Sequence, residues 1–172
     1  SLGKGFLCGF LGLLHADVTK ERLTREFNLN LITSMPTVEY QIRLKSGIII
    51  SIQSADDFPN PAEIQEIKEP VMFCEIFTAK IYLGSIMQLC QDKRAKYVDL
   101  KYIADQAQLS YLIPLSEMII DFFDKIKSVS QGYASLDYEF YQFEPVEVVK
   151  LDILLNQVVA GAFSQIIVKK NA

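Results

Sequence analysis

Residues 70–142 switch between two apolar periods in an order that few folds accept. Val71–Thr78 reads as a strand. Leu83, Ile86, Met87 and Cys90 then fall at i, i+3, i+4 and i+7, which is one face of a helix. Lys96–Ile103 and Gln108–Ile113 alternate with period two around a short polar turn, Ala104-Asp105-Gln106-Ala107. Ser116 is placed to cap a second helix, with Ile119, Phe122, Phe123, Ile126 and Val129 as its apolar stripe. In that helix Glu117, Asp121 and Asp124 precede Lys125 and Lys127, which suits the helix dipole. Gly132 supplies its stop. Leu136, Tyr138 and Phe140 then alternate with Asp137, Glu139 and Tyr141 as a last strand. The order is β-α-β-β-α-β, the split pattern of an α+β, ferredoxin-like module.

The flanks are less regular. Gly3-Lys4-Gly5-Phe6-Leu7-Cys8-Gly9-Phe10-Leu11-Gly12 reads as a strand, with Phe6, Cys8 and Phe10 toward a core and its glycines marking close backbone approach. Leu13–Phe27 reads as a helix, with Glu21–Arg25 and Arg22–Glu26 as i,i+4 pairs and Asn28 and Asn30 as its stop. Leu31–Leu44 is extended, turns at Ser46-Gly47, and returns through Ile48–Ile52 as a hairpin. Residues 54–69, with Pro59 and Pro61, read as a connector holding one helical turn. Val148–Leu155 and a short apolar stretch follow the module.

Several chemistries have no residues to carry them. Gly3-Lys4 is followed by Gly5, so the hydroxyl that a phosphate-binding P-loop gives to magnesium is missing. One histidine, His15, and three cysteines with no Cys-x-x-Cys make a zinc site or disulfide framework unexpected. The carboxylate pairs Asp56/Asp57, Asp121/Asp124 and Asp137/Glu139 fall on a loop, a solvated helix face and an outer strand face. No catalytic residue, cofactor site or metal site is therefore expected in this chain. The net charge of −4 lacks the basic excess of a free-standing nucleic-acid binder, so any RNA contact must be local or shared. No apolar run approaches the length of a membrane span.

Two groups of residues carry a resemblance. Gly5-Phe6-x-Cys8-Gly9-Phe10-Leu11-Gly12-Leu13-Leu14-His15, followed by Glu21-Arg22-Leu23-x-Arg25-Glu26-Phe27, resembles the domain III signature of the elongation factor 4 (LepA) family of translational GTPases. Its Gly12-x-Leu14-His15 core is also similar to elongation factor G. Glu69-Pro70, Tyr82-Leu83-Gly84, Asp121-Phe122-Phe123-Asp124 and Lys127-Ser128-x-Ser130-x-Gly132-Tyr133-Ala134-Ser135-x-Asp137-Tyr138 resemble domain V of that family. The sequence departs from the family at Leu7 and Gln131, where arginines are usual, and at Ala16, where methionine is.

The resemblance implies an internal fragment. Residues 1–53 would be part of a domain III-like module that is itself ferredoxin-like, 54–69 a connector, 70–145 a domain V-like module, and 146–172 the start of the LepA C-terminal domain. It implies one complete and one partial split β-α-β module. GTP and magnesium would belong to the parent protein, which would use GTP for back-translocation, ribosome rescue or ribosome assembly. Partners would be ribosomal RNA and stalk-base proteins of the large subunit, with tRNA reached through the C-terminal domain. The setting would be bacterial cytoplasm or an organellar matrix or stroma, and family members can also associate peripherally with membranes. Lys93, Arg94, Lys96, Lys127, Ser128, Ser130 and Gly132 are the expected RNA-contact residues, and Gly9, Gly12 and His15 mark the domain III signature. Two other classes stay open: a stand-alone protein- or RNA-interaction module, and a small acylphosphatase-like enzyme. The second lacks a visible phosphate loop after Val71–Thr78.

Overall fold

The computed structural model describes residues 6, 8–10, 13–31, 38–152, 154–155, 158–159 and 164–169. The chain divides into two compact units, Ser1–Met35 and Pro36–Ala172.

In the first unit, helix α1 spans Leu13–Phe27, as the sequence predicts. Arg22 pairs with Glu26 at 3.0 Å and Arg25 with Glu21 at 2.5 Å. All four side chains are largely exposed, so each pair adds only about 0.3 kcal/mol. Asn28 has φ 52°, the left-handed conformation that ends a helix. The expected strand before α1 is not found among the described residues. Phe6, Cys8, Gly9 and Phe10 are in no strand and are exposed, Phe6 to 96%. A strand needs a neighbour for its backbone groups, and no described residue pairs with this segment. The rest of the expected strand, with Leu7 and Gly12, lies outside the described residues.

The second unit is built on β3, a strand of 16 residues, Ile64–Ala79. Strands β1 (Tyr40–Leu44) and β2 (Ile49–Ile52) form the expected hairpin, with Gly47 in the turn at φ 87°. Strands β4 (Lys96–Ile103) and β5 (Gln106–Pro114) form a second hairpin, and β6 spans Ser135–Pro145. Helix α2 spans Leu83–Asp92. All β3 ladders are antiparallel: Lys68 to Phe77 with β6, Val71 to Ala79 with β5, and Ile64 to Lys68 with β1. Lys68 faces both Gln41 and Pro145, so β1 and β6 lie on opposite flanks of β3. The two hairpins therefore follow one another along a single flank. The β1 ladder ends at Lys68 and the β5 ladder begins at Val71. Pro70, which has no N–H to give a ladder, falls in the gap between them. Strands β4, β5, β3 and β6, with the intervening helices, are the ferredoxin-like module; the fold is α+β.

Four expectations on this unit are corrected. First, the hairpin of residues 40–52 extends the sheet of β3 and lies in the second compact unit. Second, 54–69 is not a connector throughout. Two short 3-10 turns, Ala55–Asp57 and Pro61–Glu63, lead into β3, which already begins at Ile64. Third, the second helix is broken into α3 (Leu115–Met118) and α4 (Phe122–Val129). Ser116 lies inside α3 and caps nothing. At the break Asp121 has φ −145°, and its carboxylate is held by Lys93 and Lys125. Fourth, the segment from 146 is not set apart. Val146 donates its N–H to Ile67 O at 2.9 Å, and β7 (Val148–Leu151) pairs with β10 (Gln165–Val168). Between them lie the short paired strands β8 (Leu154–Leu155) and β9 (Val158–Val159).

Two cores result. The first joins Met72, Cys74 and Ile76 of β3 with Ile86 and Cys90 of α2, Leu109, Tyr111 and Ile113 of β5, and Met118, Phe122 and Ile126. The second gathers Val38, Tyr40, Ile42, Ile52, Ile67 and Val148. Leu115 packs against both.

Candidate functional site

The turn after α2 sets the first cluster of charge. Arg94 has φ 55°, so the chain reverses and directs two successive basic residues into the molecule. The Arg94 guanidinium grips Glu69 with two parallel bonds, Nη1 to Oε1 at 2.7 Å and Nη2 to Oε2 at 3.1 Å. Its Nε donates to Glu117 Oε1 at 2.6 Å and Nη2 to Ser116 Oγ at 3.1 Å. Ser116 in turn donates to Glu69 Oε2 at 2.9 Å. Lys93 Nζ reaches Asp121 Oδ1 at 2.7 Å. Glu69 is 3% exposed, and it sits at the gap between the β1 and β5 ladders. Burial works against the Arg94 charge, but the hydrogen bonds it donates to Glu69 and Glu117 outweigh it and raise its pKa. Burial, aided by the Glu69 charge, pushes the nearby Tyr40 phenol up to about 12.

Lys93 and Arg94 are thus occupied by internal carboxylates and do not form a basic outer patch. Lys96 stands further out and pairs with Glu144 at 2.5 Å. Lys125 and Lys93 hold the Asp121 carboxyl below its ordinary range, and Lys96 does the same for Glu144. A depressed carboxylate stabilises the fold above its unfolded pKa, and that contribution is lost as pH falls through the lowered folded value. Urea midpoints are therefore expected to hold level down to about pH 4, the free-carboxylate range, and to drop below it. A midpoint that rises on acidification contradicts this pairing.

The second cluster closes α4. Ser130 is fully buried; its hydroxyl donates to Ile126 O at 2.7 Å and accepts from Ala134 N at 3.0 Å. Ser130 is therefore part of the frame and not an outward contact. Gln131 and Gly132 follow with φ 52° and 83°, and Gly132 N donates to Lys127 O at 2.8 Å. Such consecutive left-handed residues satisfy the last helix carbonyls. The Tyr82 hydroxyl donates to Gln131 Oε1 at 3.1 Å, and the Tyr82 ring stacks on Tyr133 with centroids 6.0 Å apart. Lys127, Ser128 and Gly132 are exposed, and Lys127 makes no ion pair among the described residues.

The remaining predicted positions lie in the first unit. His15 is exposed and meets Phe10 edge-on at 5.6 Å. A Cβ added at Gly9 would meet open space, so the expected close approach is absent there. Gly12 lies outside the described residues. Sequence reasoning did not mark Glu69, Glu117 and Tyr82 as site residues; their partners are 23 or more residues distant. Burial pushes the Cys74 and Cys90 thiols up to about 12, which leaves them poor nucleophiles. Among the described residues no three His, Cys, Asp or Glu side chains group to hold a metal. No described helix is long and apolar enough to cross a membrane.

A model of the elongation factor G C-terminus family matches residues 66–154, from the third residue of β3 through the whole ferredoxin-like module. The chain belongs to the elongation factor G C-terminus family. In this family member the matched span also takes in Glu69, Arg94 and the α4 turn. A crystal structure of a protein from Thermus thermophilus is 15% identical, with a TM-score of 0.45 over 47% of this chain. The similarity spans only 12% of that chain's length.

Proposed function

We propose that this elongation factor domain serves a LepA-type translational GTPase and docks on the ribosome through the closing turn of α4. The observation that carries this reading is the arrangement at that turn. Ser130 and the pair Gln131–Gly132 fix the backbone, while Lys127 and Ser128 stay exposed. A free ammonium, a hydroxyl and a glycine permitting close approach are groups suited to phosphate oxygens. The family match and the likeness of residues 127–138 to domain V support it. The expected counterparts are ribosomal RNA and proteins at the large-subunit stalk base. On the LepA resemblance, GTP and magnesium belong to the parent factor, and this chain's role is docking.

The test uses the full-length factor and ribosomes. Lys127→Glu is expected to weaken pelleting with ribosomes roughly threefold to tenfold at low salt, and to lower the log–log salt slope by about 1. Ser130→Ala changes stability rather than the salt slope. Unchanged binding of the Lys127→Glu factor removes this turn from consideration.

A further inference from the structure

The α4 turn carries one feature that phosphate binding does not use. Tyr133 is 71% exposed, although it is a large ring beside a packed module. One of its faces lies near-parallel to Tyr82, at 13°. Its hydroxyl makes no hydrogen bond among the described residues.

The support behind this ring is unusually complete. Tyr133 N donates to Ser130 O at 2.9 Å, and Ser130 is itself locked by Ile126 O and Ala134 N. Tyr82 is held from its far end by Gln131. The neighbouring Gly132 leaves its side of the turn bare, since nothing lies within 4 Å of where a Cβ would sit. A ring fixed in this way loses little freedom when something settles on its open face.

We infer that Tyr133, backed by Tyr82, is a stacking platform for one unpaired base of the RNA on which this domain docks. The inference rests on the docking reading above and adds the chemical group recognised. A flat open ring that follows an exposed serine and lysine by five and six residues, across the closing turn of α4, offers groups for the two halves of a nucleotide. The base lies on the tyrosine, and its phosphate meets Lys127 and Ser128. Stacking of this kind tolerates any base, because every base has a π face. It also supplies affinity where net charge cannot, which suits a chain of net charge −4. A proline or guanidinium from a protein could also lie on a tyrosine ring, but an exposed lysine at the end of the same helix favours the nucleotide.

The experiment again uses the full-length factor with ribosomes, and has three arms. Tyr133→Phe is expected to bind as the parent does, because the ring is kept. Tyr133→Leu, which keeps apolar area but loses the π face, is expected to bind about tenfold more weakly at every salt concentration, with an unchanged salt slope. Azidophenylalanine in place of Tyr133 is expected to crosslink on illumination to ribosomal RNA. The position is exposed, so folding is preserved; matching thermal unfolding of the variants checks this. Parent-like binding by Tyr133→Leu, or a crosslink to a ribosomal protein, overturns the inference. If Lys127→Glu weakens binding while Tyr133→Leu does not, only the stacking falls. If neither change has an effect, the docking reading falls with it.

Discussion

Replacing Phe122 by alanine is expected to lower the unfolding free energy by about 4 kcal/mol, whereas the same change at its neighbour Phe123 costs about 1 kcal/mol. Both phenylalanines belong to one apolar stripe in the sequence, and the fold separates them. Phe122 is fully buried in the core shared by β3, α2 and β5, next to Met118 and Ile126. Phe123 is 38% exposed and touches Tyr138 edge-on at 5.7 Å. Truncating Phe122 loses the transfer energy of a whole ring and leaves a void in a region packed from three sides. Truncating Phe123 removes one aromatic contact at the rim. Urea denaturation of the two variants decides between them. Equal losses would contradict this separation of the two rings into core and rim.

Replacing Arg94 by methionine is the second large effect, about 3 kcal/mol. The loss comes less from the attraction removed than from what remains. Glu69 would be left almost wholly buried with Ser116 as its neutral partner and no cation. Glu117 would lose its shortest bond as well. The companion change separates these causes. With Glu69→Leu added, the stranded charge disappears, and more than half of the lost stability is expected to return. A double variant no better than Arg94→Met alone would show that the stranded Glu69 charge is not the cause. The location also predicts where the damage is felt. The cluster fills the gap between the β1 and β5 ladders, so amide exchange should quicken first in Tyr40–Leu44.

The parts of this fold that were legible in the sequence are those that local pattern determines. Leu13–Phe27 and Lys96–Ile103 have the expected bounds, because a helical charge pattern ending at Asn28 and a clean alternation ending at Ala104 are local signals. The β-α-β-β-α-β order could be read for the same reason. The early start of β3 could not. Glu66, Lys68, Glu69 and Pro70 interrupt its apolar alternation, and each is accommodated by something remote. Glu66 and Lys68 pair with each other and face β1, Glu69 meets Arg94, and Pro70 falls between two ladders. The site divides in the same way. Lys127 and Ser128 are exposed. Lys93 and Arg94 look equally available in sequence, and only tertiary pairing with Glu69, Glu117 and Asp121 reveals that they face inward.

The length of β3 gives the domain a mechanical property. Sixteen extended residues span on the order of 50 Å. Both hairpins and β6 are riveted to that one rod, with no linker between the two cores it serves. A tilt of roughly 5° applied at the β1–β2 end would carry the far end sideways by about 4 Å, from the same rise per residue. Such a beam does not absorb motion as a hinge does; it converts a small rotation at one end into a displacement at the other.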